Sequence, residues 1–370
     1  MKAKPHLGKL PSYPSLVRFM KAHGLFRKPR PKNADPAGLE RARARRESRE
    51  TRSYEVEYVG ALWHLDFHHS SLRVLSSDGD WVRPVVLGVL DDRSRLACHV
   101  QWYLSETAED LVHGLSQAIL KRGLPRSLMT DNGAAMVAEE VKQGLLRLGI
   151  TQETTLPYSP QQNGKQESFW GRLEGRLMAM LQSVDDLTVD FLNRATQAWV
   201  EVEYNRSVHT ETRETPVERF AKGPDVTRPS PRTETLRFAF RQQTTRSQRR
   251  SDGTVSIEGV RFEIPGRFRH LGRVAIQYAR WDLRSVHLVD ERDGTLLAAI
   301  YPLDRGENAD ARRRPHAPPE RKPGEAKPHV AKPPSDLPPL LRAILKEYSA
   351  AGIPPAYLPK NTSKGKENKR

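Results

Sequence analysis

The hydrophobic pattern changes its period along the chain. Residues 14–25 carry apolar side chains near helical spacing, which predicts one helix. From about Val56 to Phe220, strand-like runs alternate with helix-like runs, as is typical of an α/β domain. Over residues 251–302 the period becomes two, and Asp-Gly turns accompany it, so this part is predicted to form a small antiparallel barrel or sheet.

The first strand of the α/β region carries an acid on a polar face. In ALWHLDFHH the polar and apolar positions alternate, so that Asp66 lies between His64 and His68 on one face. An acid among apolar strand residues costs desolvation energy unless it is paired or bound to a metal. Asp66 is therefore a candidate for catalysis or metal binding.

Two further acids lie at the boundaries of predicted elements. The short strand SLMT stops at Asp131, an Asn-Gly turn follows it, and Glu167 lies early in a helix after PYSPQQNG. Taken alone, Asp131 is better interpreted as a turn residue and Glu167 as part of a solvated helix face. For the three acids together, the joint spacing favours a metal site or the remnant of one.

The spacing of these acids resembles that of the DDE superfamily of insertion-sequence transposases and retroviral-type integrases. In that family two aspartates and a glutamate form the site, with 35 residues between the last two, as between Asp131 and Glu167 here. The resemblance covers about Leu62 to Phe220 and includes the TDNG and DDRSR segments. It implies an RNase H-like catalytic core, a mixed sheet flanked by helices, in which Asp66, Asp131 and Glu167 are catalytic and bind metal.

The resemblance also implies the cofactor. Phosphodiester chemistry in this superfamily uses Mg²⁺, with Mn²⁺ as a substitute, and two ions are expected in the site. Two such ions can activate the nucleophile and stabilise the leaving oxygen, and carboxylates are the hard oxygen ligands that Mg²⁺ prefers.

The sequence departs from the family after the glutamate. Many relatives carry Lys or Arg one or two helical turns later, where this chain has Gly171 and Glu174. A basic row lies on the other edge of the same predicted helix, and DNA contact and simple solvation are equally good interpretations of it. This row, a basic linker and the loop before the helix supply the candidate DNA-binding residues, which are Arg41, Arg43, Arg45, Arg46, Asn163, Lys165, Arg172 and Arg176.

Other polar residues near the strands receive more ordinary interpretations. Asp91 and Asp92 are predicted to form a hairpin turn. Histidines 64, 68 and 69 could suggest zinc, but the single Cys98 excludes a Cys/His finger, and contacts to DNA or around the site are preferred.

The charge of the chain indicates its partner. A formal net charge of +16 and a pI near 10.0 favour a polyanion, and double-stranded DNA, both as element ends and as target, is the leading candidate. No apolar run is long enough for a membrane span or a secretory signal, so the expected location is the bacterial cytoplasm or nucleoid.

These observations divide the chain into six parts. We predict a partial helical DNA-binding segment at 1–30, a basic linker at 31–55, the catalytic core at 56–222, a linker at 223–250, the small β-barrel at 251–303 and a tail at 304–370. The barrel resembles the C-terminal barrel of phage Mu-type transposases, although a barrel that only packs on the core is an alternative. One helix precedes residue 27 where the family usually has a full helix-turn-helix, which suggests a shortened relative or a fragment.

The tail is predicted to be mostly disordered, because residues 315–359 hold twelve of the 28 prolines. A short helix at 337–351 interrupts it, with apolar residues at helical spacing. That helix is expected either to dock on a second protomer or a partner protein, or to pack back on its own core.

The resulting expectation for function is a transposase that cuts 3′ ends of a mobile element and joins them to target DNA as a homo-oligomer. Two alternatives are a catalytically inactive DNA-binding relative and an RNase H-like nuclease that cuts without joining. An intact set of three acids argues against the first.

Overall fold

The computed structural model describes residues 12–23, 55–76, 79–154, 164–182, 184–304 and 337–351. The chain divides into two compact units, Met1–Arg52 and Ser53–Arg370. In the first unit the described residues form helix α1 (Tyr13–Ala22), as the periodicity predicts, and its Leu16 and Phe19 are exposed. The remainder of the predicted segment at 1–30, and the basic linker up to residue 54, lie outside the described residues.

The second unit is built on a five-stranded mixed sheet. Its strands are β1 (Leu62–His69), β4 (Val85–Asp91), β5 (Ala97–Tyr103), β6 (Ser127–Thr130) and β7 (Thr151–Thr154), in the order β5-β4-β1-β6-β7. Strands β1, β4 and β5 pair antiparallel, whereas β6 and β7 join in parallel. A small hairpin, β2 (Val74–Leu75) and β3 (Trp81–Val82), extends from the end of β1.

Helices cover both faces of this sheet. Helices α2 (Ala108–Arg122) and α3 (Glu139–Arg147) pack on one face. On the other face lie α4 (Gly164–Arg172), its π-helical continuation Leu173–Met178, α5 (Ala179–Leu181) and α6 (Val189–Val202). Strand β4, between β5 and β1, is buried on both sides, which explains its continuous apolar sequence VVLGVL. The predicted RNase H-like arrangement, a mixed sheet flanked by helices, is confirmed.

Local sequence signals set the helix boundaries in this core. The Thr107 hydroxyl caps α2 by accepting a hydrogen bond from the Asp110 amide, and Gly123 ends it with a positive φ of 85°. Thr188 caps α6 and Thr215 caps α7 (Pro216–Lys222) in the same way. Asn205 pairs with both backbone groups of Ala97 and so fastens the segment after α6 to strand β5.

A second layer of β structure follows the core. The strands are β8 (Gln242–Ser247), β9 (Thr254–Ile257), β10 (Val260–Glu263), β11 (Arg273–Ala279), β12 (Asp282–Val289) and β13 (Leu296–Ile300). They form a four-stranded and a two-stranded antiparallel sheet around one apolar cluster. The chain after β13 hydrogen-bonds to β10 through the Glu263 amide and the Tyr301 carbonyl, which draws the two sheets together. This small antiparallel domain, here called the β domain, matches the predicted periodicity of two.

Residues 223–250 differ from the linker that we predict. They contain helix α8 (Thr233–Ala239) and strand β8, which pairs with β11. Phe240 is buried against α3, where Gly144 leaves room for its ring, and Arg280 bonds Glu140 with two hydrogen bonds of 2.8 and 3.0 Å. Both the segment before β8, through Phe240, and the β domain, through Arg280, therefore contact α3.

The predicted C-terminal helix is present as α9 (Pro339–Ala350). Its apolar stripe is not available for a partner, because Leu341 and Ile344 are buried in the same apolar cluster as α4 and α6. The expectation that this helix docks on a partner protein is wrong for the structure described, and the alternative of packing on its own core is correct. None of the helices in the described ranges is long and apolar enough to cross a membrane.

Candidate active site

Asp66 lies in the middle of β1, directly opposite Gly88 of β4. Its side chain is partly exposed at the sheet surface. Nε1 of Trp170, on α4, donates a hydrogen bond of 3.1 Å to Oδ2 of Asp66. The desolvation cost of an acid in an apolar strand is thus reduced by a donor from the covering helix.

Asp131 follows β6 immediately, and β6 pairs with the strand that carries Asp66. Strands β1 and β6 pair in parallel with Leu62 opposite Ser127 and His64 opposite Met129. Asp131 is exposed and its Oδ1 accepts the Gly133 amide at 2.8 Å, so it also shapes the turn after the strand.

Glu167 lies in the first turn of α4 and is exposed. The helix beneath it is fixed to the sheet by its neighbours: Gln166 donates to the Gly88 carbonyl at 3.1 Å and Trp170 donates to Asp66. Glu167 is thereby held on the turn of the helix that faces the strand of Asp66.

The structure does not gather the three acids into a finished metal site. Within the described residues, no group of three or more His, Cys, Asp or Glu side chains is close enough to hold a metal ion. The donor chemistry nevertheless suits a hard divalent cation, since one carboxylate lies in β1, the second directly follows the neighbouring strand β6, and the third lies on the helix that packs on β1.

Asp91 and Asp92 are buried, which differs from the simple hairpin turn that we predict. Asp91 accepts hydrogen bonds from the Gly60 amide and from Ser94, but burial dominates and raises the pKa of its carboxyl. Asp92 ion-pairs with Lys165 and hydrogen-bonds with His64. The local DDRS sequence does make the turn, yet tertiary contacts turn both carboxylates inward.

Each basic residue predicted on α4 has a partner within the protein. Lys165 is ion-paired with Asp92, the Arg172 guanidinium lies 5.9 Å from the centre of the Tyr204 ring, and Arg176 donates to Glu203 at 2.6 Å. The predicted row of basic residues does not continue along one edge of the helix, because the π-helical segment beginning at Leu173 has more residues per turn than an α-helix. The remaining candidate DNA contacts, Arg41, Arg43, Arg45, Arg46 and Asn163, lie outside the described residues.

The three histidines of the first strand occupy different environments. His64 is buried against Asp92 and does not reach the surface. His68 stacks on Trp170, with ring centroids 5.2 Å apart, and lies 3.4 Å from Glu174. His69 is exposed and lies 3.9 Å from Glu106. Of the three, His68 contacts Trp170, which in turn donates a hydrogen bond to Asp66.

Sequence reasoning missed two residues beside Asp66. Trp170 lies beside Phe169 in the predicted helix, where an indole is ordinarily a packing residue, and Gly88 stands in an otherwise apolar strand. A glycine within such a strand is a signal of close approach by another group, and it could have been used. Only the tertiary structure shows that the approaching group is Trp170.

Residues 57–160 match the model of the protein family described as the integrase core domain. The match includes Asp66 and Asp131 and ends before Glu167. Among curated proteins, the chain is 30% identical over 164 residues to the retrovirus-related Pol polyprotein from transposon gypsy of Drosophila melanogaster. It is 39% identical over 69 residues to a Gag-Pro-Pol polyprotein of human T-cell leukemia virus 3.

These relatives are much longer than the shared regions. The first alignment covers 44% of this chain and 14% of the gypsy polyprotein, and the second covers 19% of this chain and 5% of the viral polyprotein. The chain therefore shares an integrase-type region with retroviral and transposon polyproteins.

Solved integrase structures give a distant likeness. A simian T-cell lymphotropic virus intasome in complex with a PP2A regulatory subunit has a TM-score of 0.41 at 19% identity, covering 68% of this chain and 79% of that one. The HTLV-2 integrase catalytic core domain in complex with magnesium has a TM-score of 0.36 at 19% identity, covering 46% of this chain and 99% of that one.

Proposed function

We propose that this protein is a transposase or integrase that cuts DNA at the 3′ ends of a mobile element and joins those ends to target DNA. Asp66, Asp131 and Glu167 are the proposed catalytic residues. The observation that carries the proposal is the parallel pairing of β1, the strand of Asp66, with β6, the strand that ends just before Asp131. The hydrogen bond from Trp170 on the helix of Glu167 to Asp66 supports it.

The proposed cofactor is Mg²⁺, with Mn²⁺ as a substitute and two ions per site. Three carboxylates offer the hard oxygen ligands that these cations prefer. When bound, such a pair of ions activates the attacking hydroxyl and stabilises the leaving oxygen. Within the chain, Trp170 donates a hydrogen bond to Asp66, and Gln166 donates one to the Gly88 carbonyl of β4.

The proposed substrate is double-stranded DNA, and the β domain offers a surface for it. Four exposed arginines lie at one end of this domain, in the turn between β8 and β9 and in the segment that enters β11; they are Arg249, Arg250, Arg269 and Arg273. The Gln248 amide bonds the Gly272 carbonyl, and the Arg269 guanidinium lies against Gly253, which brings the two segments together. None of the four forms an ion pair with another described residue. Unpaired guanidinium groups suit phosphate contacts.

The proposal also includes an oligomeric state and a cellular location. Joining two element ends to one target calls for two active sites, and we therefore include a homo-oligomer of this chain in the proposal. The proposed location is the bacterial cytoplasm or nucleoid, where a DNA substrate is accessible.

A joining assay tests the proposal. Pre-cut element ends, identified by sequencing the inverted repeats that flank the gene, are incubated with a target plasmid and Mg²⁺. Joined products are expected from the wild type, and Asp66→Asn, Asp131→Asn or Glu167→Gln is expected to abolish cleavage and joining while leaving end binding nearly intact. Each change removes a charged ligand and little volume. Robust Mg²⁺-dependent joining by one of these variants would contradict the role of that residue.

The same assay separates the alternatives. A nuclease of this fold would nick the element ends without producing joined molecules. A DNA-binding relative without catalysis would retain the ends in a mobility-shift experiment and yield neither nicked nor joined products.

A further inference from the structure

We propose that Trp170 is a positioning residue for Asp66, which its indole N–H orients toward the metal-binding side of the sheet. The inference rests on the proposed function, because it assigns a role within that same site. The hydrogen bond joins Nε1 of Trp170 to Oδ2 of Asp66 at 3.1 Å. Trp170 is three residues after Glu167 on α4, so one bond links the helix of the glutamate to the strand of the first aspartate.

The indole reaches Asp66 because residue 88 is glycine. Gly88 lies opposite Asp66 in the β1–β4 register. A Cβ atom at this position would lie 2.5 Å from Cη2 of Trp170 and 2.9 Å from Nε2 of Gln166, which is closer than real Cβ atoms approach. The helix can therefore seat its indole over the strand only while this position has no side chain.

The ring of Trp170 is held in one orientation. It is only 5% exposed, His68 stacks on it with an interplanar angle of 14°, and the Phe169 ring centroid is 5.1 Å away. A ring fixed in this way keeps its N–H directed at the carboxylate. Side chains locked by their surroundings are the usual means by which ligands are held in productive geometry.

The chemistry of the donor suits a permanent support. Indole N–H is a donor only and does not titrate in the pH range of proteins, so it gives the carboxylate one constant hydrogen bond. A carboxylate oriented by such a donor presents its oxygens to a cation in a fixed direction. A residue that merely fills the core would not have this effect on the metal.

Trp199 provides a matched control. It is 2% exposed, belongs to the same apolar cluster as Trp170, and its Nε1 has no hydrogen-bond partner among the described residues. Trp→Phe at either position removes a similar volume from the same core. Only the change at position 170 removes a hydrogen bond to a proposed metal ligand.

The test compares Trp170→Phe with Trp199→Phe in two measurements. In the joining assay, Trp170→Phe is expected to reduce the joining rate at saturating DNA at least tenfold and to raise the Mg²⁺ concentration for half-maximal rate about fivefold, while KM for DNA changes little. In Mn²⁺ titrations followed by electron paramagnetic resonance, the same variant is expected to bind Mn²⁺ about fivefold more weakly. Trp199→Phe is expected to stay within twofold of the wild type in both.

A second variant separates the loss of the hydrogen bond from a loss of folding. Replacing Trp170 by 3-benzothienylalanine keeps the size of the ring and exchanges N–H for sulfur, and it is expected to show the same defects as Trp170→Phe. If the wild type joins DNA and either variant stays within twofold of it in rate and Mn²⁺ affinity, the positioning role is overturned while the proposed function stands. If the wild type neither joins DNA nor binds Mn²⁺, the proposed function fails and this inference fails with it.

Discussion

Nε2 of His64 lies 2.7 Å from Oδ1 of Asp92, and both side chains are buried. Burial by itself raises the pKa of Asp92, but hydrogen bonds from His64 and Lys165 outweigh it and lower that pKa to about 2. The carboxylate is therefore ionised and accepts only, so His64 donates through Nε2. Since the Val56 amide also donates to Asp92 at 2.8 Å, one buried charge links the entry to the core, strand β1 and the start of α4.

Removing the cation of this network is expected to destabilise the protein. Lys165→Met leaves the buried Asp92 carboxylate without its ion-pair partner, and the free energy of unfolding at pH 7 is expected to fall by about 3 kcal/mol. Urea unfolding measures the change. Lys142→Met, at an exposed position on α3, is the control and is expected to stay within about 0.5 kcal/mol. An equally small effect at both positions would show that His64 and the Val56 amide suffice for Asp92.

The same network has a defined pH dependence. Because the folded pKa of Asp92 is about 2 and the ordinary pKa of an aspartate is 3.8, its contribution to stability is present above about pH 4 and is lost as the pH falls through 2.

The C-terminal helix is expected to stabilise the core. Leu341→Ala removes a fully buried side chain from the cluster shared with α4 and α6 and is expected to cost about 3 kcal/mol of unfolding free energy. Leu340→Ala, its neighbour at 42% exposure, is expected to be nearly neutral. If the two variants unfold at the same denaturant concentration, α9 does not pack on the core in solution.

The arginines at the end of the β domain are expected to contact DNA phosphates. Replacing Arg249, Arg250, Arg269 and Arg273 together by Gln should reduce the slope of log K against log salt by about 0.9 for each lost phosphate contact. Fluorescence anisotropy at several salt concentrations measures the slope. The control removes the same charge from exposed arginines elsewhere, which are Arg213, Arg232, Arg237 and Arg292. Equal slopes for the two variants would mean that this end of the domain does not bind DNA.

The arginines of the basic linker are likewise expected to contact DNA phosphates. Neutralising Arg41, Arg43, Arg45 and Arg46 together is expected to flatten the same slope, again by about 0.9 for each phosphate contact that is lost. An unchanged slope in this experiment would indicate that these four side chains face solvent.

His287 is expected to make stability depend on pH below neutrality. Burial, and next the charge of Arg241, lower its pKa to about 4. Between about pH 6.5 and 4, His287 is therefore protonated in the unfolded chain but neutral in the folded chain. The free energy of unfolding consequently falls as the pH decreases through this range. His287→Gln is expected to weaken this dependence of Tm between pH 7 and 4, whereas His270→Gln, at an exposed position, is expected to leave it unchanged.

The sequence by itself determined the elements on which the candidate site stands. Apolar alternation and helical periodicity depend on neighbours within a few residues, so the strand of Asp66, the strand end before Asp131 and the helix of Glu167 could be predicted from local pattern. The change to a period of two likewise predicted the β domain. The 35-residue spacing between Asp131 and Glu167 is likewise a property of the sequence alone, and it indicates the three acids as a set.

Only the tertiary structure decided how charged and apolar groups are paired. Asp92 follows a turn signal, yet its partners come from β1 and from α4, 28 and 73 residues away in sequence. The composition of residues 223–250 and of the α9 region is typical of linkers and tails. Both nevertheless belong to the fold, because their apolar side chains cover apolar surface of the core. The burial of a side chain and the identity of its partner depend on which distant segments pack together, and the local sequence pattern does not specify that packing.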